Sequence, residues 1–253
     1  VNLIGRKLKQ YRKDANMSQL DLELAIDAAS GTISRIESGK TNPSKETLAN
    51  IASALQLKPI EVQYLFSNSD EISDEEKEYV IGLVSSLLDS NVHFCYLLDM
   101  KSRYIEISKG LRSFFNTKNV DSDNLIGHPL EEVLFDPQFG IRDLIGEEQF
   151  ENVAYRICST TIQKQNHMLK DEWWDNHISF LNELPDFTRL YQKAMKEPDD
   201  IYSEESRTID FNLKGLKIKT VYHANHLYTD PRFTLVEFRP QDTGIKLIQK
   251  LLR

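Results

Sequence analysis

Residues 18–43 read SQLDLELAIDAASGTISRIESGKTNP: two short helix-forming stretches around a tight turn, then a polar loop. No other segment limits the fold as strongly. The second stretch carries Ala29, Ile33 and Ile36 on one helical face and Ser30, Gly31, Ser34 and Arg35 on the other. A helix divided in this way can pack on a domain with its apolar side and enter a DNA major groove with its small polar side.

The flanking chain predicts a five-helix unit. Leu3 to Asp14 forms a basic amphipathic helix with Leu3, Ile4, Leu8 and Tyr11 on one face. Ser18 caps the second helix, with Asp21 three residues on in a capping-box arrangement. Gly39 follows the third, where a left-handed residue ends it. Ser44 starts a fourth helix to Leu55 with Leu48, Ile51, Ala52 and Leu55 inward, and Pro59 opens a fifth.

Residues 2–66 thereby resemble a helix-turn-helix domain of the Xre type, the lambda-repressor-like family of the lambdoid phage repressors and Cro. The matching residues are Ser18-Gln19, Leu22, Ile33-Ser34, Ile36-Glu37, Gly39-Lys40, Asn42-Pro43, Leu48, Ile51-Ala52 and Leu55, all in one register. The resemblance implies a double-stranded DNA operator as partner. Ser30, Gly31, Thr32 and Arg35 fall on groove-facing positions, with Ser34 on the same outer face. Ser18, Gln19, Lys40 and Asn42 fall at phosphate-contacting helix ends and the following loop. Arg35, the long donor of the set, has the reach to grip guanine O6 and N7. The plainer readings are solvation for Ser30 and Thr32 and a surface ion pair for Arg35. Arg12 and Glu37 match a buried structural ion pair of the family. Two residues depart from its pattern. Asp27 replaces the usual turn glycine, at little cost because Asp tolerates left-handed backbone. Ala29 replaces a Ser/Thr cap, an expected loss of about 1 kcal/mol at the start of helix three.

The net charge of −8 opposes DNA binding until it is divided. Residues 1–67 hold nine Lys/Arg against seven Asp/Glu, and the remainder 22 against 32. Arg6, Lys7, Lys9, Arg12 and Lys13 concentrate on the first helix, while the acidic remainder repels DNA. No apolar run is long enough to span a membrane and the start does not read as a secretory signal, so a cytoplasmic protein is expected. Cys95 and Cys158, without metal or redox spacing, read as reduced core thiols.

The domain reading is residues 1–67 for the DNA-binding end, 68–91 for a linker and connecting helix, 92–242 for a second domain and 243–253 for a C-terminal amphipathic helix. Ser67 to Ile72 is polar and lacks a core pattern. Ser73 and Glu76 make a second capping box, opening a helix to about Asp89 that carries Tyr79, Val80, Leu83, Val84, Leu87 and Leu88. That helix either packs on the second domain or also pairs two subunits, and Ile245 to Leu252 is equally eligible for pairing. Next come strands at His93–Leu98 and Tyr104–Ser108 around a turn at Asp99–Ser102, and helices at Leu111–Phe115 and Phe150–Gln163. Further helices at Trp173–Leu184 and Asp186–Ala194 break at Pro185, and residues 207–222 and 232–239 alternate like antiparallel strands. Strands, helices, then strands fit an α+β, PAS-like sensor: a sheet with helices on one face enclosing a pocket.

Residues 92–242 also resemble the MmyB-type ligand-binding domain, a PAS-like module found behind Xre-type domains in bacterial regulators. The matching pieces are Tyr96-x-Leu98-Asp99, Asn124-Leu125, Leu134-Phe135-x-Pro137, Arg156, Leu184-Pro185-Asp186-Phe187-x-x-Leu190-Tyr191, Gly215-x-x-Ile218, Asp230-Pro231 and Leu235-Val236. Their order and the domain pairing carry the likeness. The resemblance implies a small apolar, fatty-acid-like ligand. Ser108 replaces the family's usual Asn and Phe211 its usual His, so a ligand or its pose differs here if those groups orient it in relatives.

Aromatic residues are dense in this half, and most of them must be core. The candidate pocket set is Tyr96, Phe115, Phe135, Phe139, Arg156, Trp173, Phe187 and Tyr191. Arg156, inside an apolar helix beside Val153 and Ile157, is either a buried structural partner or an anchor for a ligand carboxylate. His223 and His226, three apart on a strand, point to opposite faces and do not suit a shared metal. His167 and His177 only bracket the tryptophans, and the acidic clusters at 74–78 and 197–205 read as solvated surface. With no phosphate loop, nucleophile elbow or Cys-x-x-Cys, neither an enzyme nor a cofactor is expected. The leading expectation is a homodimeric, ligand-responsive transcription regulator. The alternative is a peptide-pheromone-responsive regulator with helical repeats, which circular dichroism of residues 90–253 would separate from it.

Overall fold

A computed structural model describes residues 3–66, 72–167, 172–197, 207–213, 216–230 and 232–241. The segment at Ile245–Leu252 and most of the polar join at Ser67–Ile72 lie outside them. The chain divides into one unit of Val1–Ile72 and His167–Lys170 and a second of Ser73–Asn166 and Asp171–Arg253.

The first unit contains α1 (Leu3–Asp14), α2 (Gln19–Ala25), α3 (Thr32–Glu37), α4 (Lys45–Ala54) and α5 (Pro59–Phe66). Its helix ends follow the local chemistry. The Ser18 hydroxyl accepts from the Asp21 N–H at 3.0 Å, and the Asp21 carboxylate accepts from the Ser18 N–H at 2.9 Å. Ser44 accepts from the Thr47 N–H at 3.0 Å. Asp27 takes a left-handed φ of 52° in the turn. Gly39, at φ 74°, closes α3 while the Lys40 N–H reaches the Arg35 carbonyl at 2.9 Å and its own N–H reaches Ile36 at 3.0 Å.

The start of α3 differs from expectation. Gly31 stands in left-handed backbone, φ 80°, so the helix begins at Thr32 and Ala29 is exposed rather than on its inner face. The cap comes from elsewhere: the buried Glu23 carboxylate accepts from the Ile33 N–H at 2.9 Å. A carboxylate ten residues away thus takes the role that Ala29 cannot fill.

Leu8, Leu22, Ile33, Ile36, Ile51 and Leu65 form the centre of this unit, each at most 1% exposed. Burial of each such side chain contributes about 1.5–3 kcal/mol. Helices α1 and α3 meet so closely that a Cβ on Gly5 would fall 2.4 Å from the Ile36 carbonyl oxygen. Beside that contact Arg12 Nε and Nη2 donate to the two Glu37 carboxylate oxygens at 2.6 and 3.0 Å. Lys7 is also buried, its ammonium on the Tyr64 carbonyl at 2.9 Å and over the Tyr64 ring. Lys7 and Arg12 are therefore not part of a DNA-facing basic stripe on α1; Arg6, Lys9 and Lys13 remain exposed.

The second unit opens with α6 (Asp74–Leu83) and α7 (Ser85–Leu88), then β1 (Phe94–Leu98) and β2 (Tyr104–Ile107). Helices α8 (Lys109–Asn116), α9 (Leu130–Phe135), α10 (Ile141–Ile145), α11 (Glu147–His167), α12 (Glu172–Leu181) and α13 (Phe187–Lys196) follow. Strands β3 (Thr208–Leu213), β4 (Leu216–His226) and β5 (Thr234–Pro240) close it. The Ser73–Glu76 capping box forms, but the expected continuous helix breaks at Val84. There Gly82 disfavours helix and the Ser85 hydroxyl donates back to its carbonyl at 2.9 Å. Val80, Val84 and Leu88 are buried, whereas Tyr79 and Leu83 are 63% and 46% exposed.

Among the described residues the strands form one antiparallel sheet in the order β2-β1-β5-β4-β3. Every residue of β1 is buried, as a central strand covered on both faces requires. One sheet face packs Phe94, Tyr96, Phe211 and Val236 against Leu111, Phe114 and Phe115 of α8. A second cluster joins α9, α11, α12 and α13 through Phe135, Phe150, Cys158, Leu181, Phe187 and Leu190. Burial pushes the Cys95 thiol up to about 11 and the Cys158 thiol up to about 12, in keeping with inert core thiols.

Glu37→Ala strands the buried Arg12 guanidinium and should destabilise the first unit by about 3–5 kcal/mol. Gly5→Ala should do likewise by forcing α1 off α3. Hydrogen exchange on the full chain should show faster amide exchange throughout residues 3–66 in either variant. Protection unchanged from that of an exposed control, Glu46→Ala, would mean that neither contact holds the unit together.

Candidate DNA interface and second-unit pocket

Helix α3 turns Ser34 and Arg35 outward, with Gly31 and Thr32 half-buried at its start and Ser30 exposed in the preceding turn. Arg35 Nη2 donates to the Thr32 hydroxyl at 3.2 Å. Among the described residues Arg35 forms no ion pair. Ser18, Lys40 and Asn42 are exposed, at the start of α2 and in the loop after α3. Gln19 has a double setting. Its side-chain N–H donates to Glu37 at 2.7 Å, so it braces the ion pair, while its backbone belongs to the first turn of α2. The groove-facing and phosphate-facing candidates thus lie on α3, the α2 start and the α3–α4 loop, within one unit.

Residues 8–62 match the helix-turn-helix family. The first unit thus carries a helix-turn-helix domain, which supports an Xre-type regulator. That makes the chain a DNA-binding transcriptional regulator, with an antiparallel-sheet domain behind its helix-turn-helix in an α+β layout. No curated protein matches the chain. No helix among the described residues is long and apolar enough to cross a membrane.

The pocket candidates of the second unit separate into three places. Tyr96, Phe115 and Phe139 belong to the sheet-side cluster, where the Tyr96 ring lies 4.9 Å from that of Tyr104. Burial pushes both phenols above their ordinary value. Phe135 and Phe187 sit in the helical cluster with rings 5.1 Å apart, and Tyr191 stacks on Phe187 at 5.2 Å. Trp173 lines a pocket at α12. Arg156 donates from Nε to the Asn152 carbonyl at 3.1 Å and from both terminal nitrogens to the Thr208 carbonyl at 3.2 Å. Gln149, two turns earlier on α11, accepts from the Asp210 N–H at 2.8 Å and donates to the Asp210 carbonyl at 3.1 Å. Residues 208 and 210 lie on the sheet's edge strand, whose outward backbone groups need partners. Arg156 and Gln149 supply them.

The two departures from the MmyB pattern also carry structure. The Ser108 hydroxyl donates to the His93 carbonyl at 2.7 Å and accepts from the Cys95 N–H at 3.1 Å, fully buried. Phe211 packs edge-on to Phe114 and Phe238, with ring centroids 5.1 Å away in each case.

The pocket at Trp173 has a volume of about 320 Å³. Its lining includes His177, which the sequence reading noted only as bracketing the tryptophans, and Phe180, one of the dense aromatics, together with Arg103, His128 and Glu132, which that reading did not single out. Behind it, His177 Nε2 and Glu131 Oε2 are buried 4.0 Å apart, each without a hydrogen-bond partner among the described residues. Burial holds the His177 imidazole below its ordinary value against the pull of Glu131 and Glu132. No spacing rule brings together residues 103, 131 and 177; only the fold does.

On DNA, Arg35→Ala should cost about 1–3 kcal/mol at the cognate site and relax preference at one position of each half-site. Lys40→Ala should weaken all sequences alike and lower the salt slope. Titrations on a selected operator and a scrambled one separate these outcomes, and equal losses on both DNAs for Arg35→Ala would remove its base-reading role.

Proposed function

We propose that the chain reads an operator as a homodimer through Ser18, Gln19, Ser30, Gly31, Thr32, Ser34, Arg35, Lys40 and Asn42. Residues 92–242 act as a PAS-like, MmyB-type sensor of a small apolar, fatty-acid-like ligand. The observation that carries this reading is the strand order β2-β1-β5-β4-β3 with α8–α13 inserted between β2 and β3, behind a helix-turn-helix domain. It is the sheet-plus-helices plan that the sequence resemblance implies. A helical-repeat receptor would need helices where β3, β4 and β5 stand. The exposed Tyr79–Leu83 pair on α6 supports a role in subunit pairing, since buried Val80, Val84 and Leu88 leave that face outward.

A ligand changes operator affinity only if it distinguishes the DNA-competent state from the other. Dodecanoate serves as the probe. At a hundredfold excess over Kd it should stabilise the second unit by about 2.7 kcal/mol, seen as a rise in Tm. It should also alter operator affinity of the full chain. Native mass spectrometry should give a dimer mass that Leu83→Glu shifts toward monomer. Unaltered operator affinity at saturating dodecanoate counts against a fatty-acid sensor, and a monomer mass for the unsubstituted chain counts against the dimer.

A further inference from the structure

The pocket beside α12 combines a held cation, an exposed aromatic ring and a buried imidazole without a hydrogen-bond partner at Nε2. We propose that it binds a small aromatic carboxylate, with the carboxylate on Arg103, the ring against Phe180 and the edge of Trp173, and His177 as the inner wall. This goes beyond the fatty-acid reading and rests on the sensor reading only for any effect on DNA.

Arg103 is presented in one orientation. Its Nε donates to Asp99 Oδ2 at 2.6 Å, and Asp99 Oδ1 accepts from the backbone N–H groups of Lys101 at 2.8 Å and Arg103 at 2.9 Å. Asp99 is 1% exposed, so this turn is a fixed mount. The Arg103 terminal nitrogens make no hydrogen bond among the described residues, and a guanidinium fork held at Nε matches a carboxylate geometrically. Lys101, from the same turn, stands 4.9 Å from the Trp173 ring centroid and adds a second cation. Both occur in residues 68–253, which hold 22 cations against 32 acids, where anion binding needs local charge. The opposing acid at the pocket, Glu132, is occupied by His128 at 2.9 Å.

Shape favours one ring over a long chain. About 320 Å³ is at the low end of the roughly 300–1,000 Å³ usual for ligand sites. Phe180 is 38% exposed, a large apolar ring left toward solvent. Trp173 already carries His177 stacked at 4.8 Å and Lys101 above its ring, so its edge is what it offers to a neighbouring face. His177, 8% exposed, forms the inner wall of the pocket, and its buried Nε2 stands behind that wall 4.0 Å from Glu131 Oε2. A buried polar pair left without hydrogen bonds is costly, which sets this wall apart from an ordinary apolar core.

Trp173 and Trp174 are the chain's two tryptophans, so intrinsic fluorescence of the full chain reports on this place. Benzoate should give a saturable change. Benzamide, which lacks the charge, and hexanoate, which lacks the ring, should bind more weakly. Arg103→Gln should weaken benzoate by at least about tenfold, the loss of a charge-assisted contact. Phe180→Ser should weaken it while leaving the Asp99 turn untouched, which keeps the test valid if Arg103→Gln loosens that turn. No saturable benzoate signal, equal binding of benzamide, or full binding by both variants overturns the site. If benzoate binds and operator affinity does not move, the site stands and its link to the sensor reading falls. If dodecanoate shifts operator affinity while benzoate does not bind, the sensor reading stands and this site is overturned.

Discussion

Glu37 receives Arg12 from α1 on both carboxylate oxygens and Gln19 from α2 on one of them, so three helices are referenced to one buried acid at the last turn of α3. Removing either charge leaves the other in a low-dielectric interior, which makes the arrangement all-or-none rather than gradual. The opposite end of α3 is held by a second carboxylate, Glu23 on the Ile33 N–H. At six residues α3 is far too short to persist alone. Its outward face, Ser34 and Arg35 included, is aimed by neighbours that fix both ends, and Gly5 lets α1 lie close enough for the Arg12 contact to form.

The second unit meets a different demand. Its sheet ends on β3, whose outward backbone groups would be left unpaired, and α11 lies where side chains can answer them. Gln149 pairs with Asp210 almost as another strand would, and Arg156 gathers two donors onto the Thr208 carbonyl. Thr161, further along α11, donates to buried Glu131 on α9 at 2.6 Å. A single helix thereby ties the sheet edge to the helical cluster through polar contacts, while Phe135, Phe150 and Phe187 provide the apolar packing.

Much of the first unit was legible because its signals are local. Caps at Ser18 and Ser44, the left-handed Gly39 and the apolar faces of α1 and α4 depend on residues within a turn or two. The Arg12–Glu37 pair was legible only through resemblance. The start of α3 was misplaced because its cap, Glu23, acts across the turn, and Lys7 was read as a surface cation although Tyr64, 57 residues on, buries it. In the second unit strands and helices could be read from periodicity, but α6–α7 looked continuous, since the Ser85 side-chain bond that interrupts it has no apolar signature. Arg156 stood out as a charge inside an apolar helix; besides the Asn152 carbonyl on its own helix, its partner is the Thr208 carbonyl, 52 residues on, at an edge that exists only after folding. The Arg103–Asp99–His177 surroundings were invisible for the same reason.

Charge burial also bears on how the first unit meets DNA. Two of its nine cations and two of its seven acids are buried, Lys7 and Arg12 with Glu23 and Glu37, so the exposed balance stays at +2. The buried charges act as architecture and leave the long-range field unchanged. A surplus that small gives a weak long-range field, whereas counterion release follows the number of phosphates that individual Lys and Arg neutralise. In the proposed reading, discrimination by one copy of the domain rests on directed contacts such as that of Arg35, each contributing about 1–3 kcal/mol. Joining two such domains makes the second binding event intramolecular and multiplies affinity without adding a contact. Under the proposed homodimer, the weak field of the single domain would be a physical reason for regulation to act on how two domains are held, rather than on either reading surface.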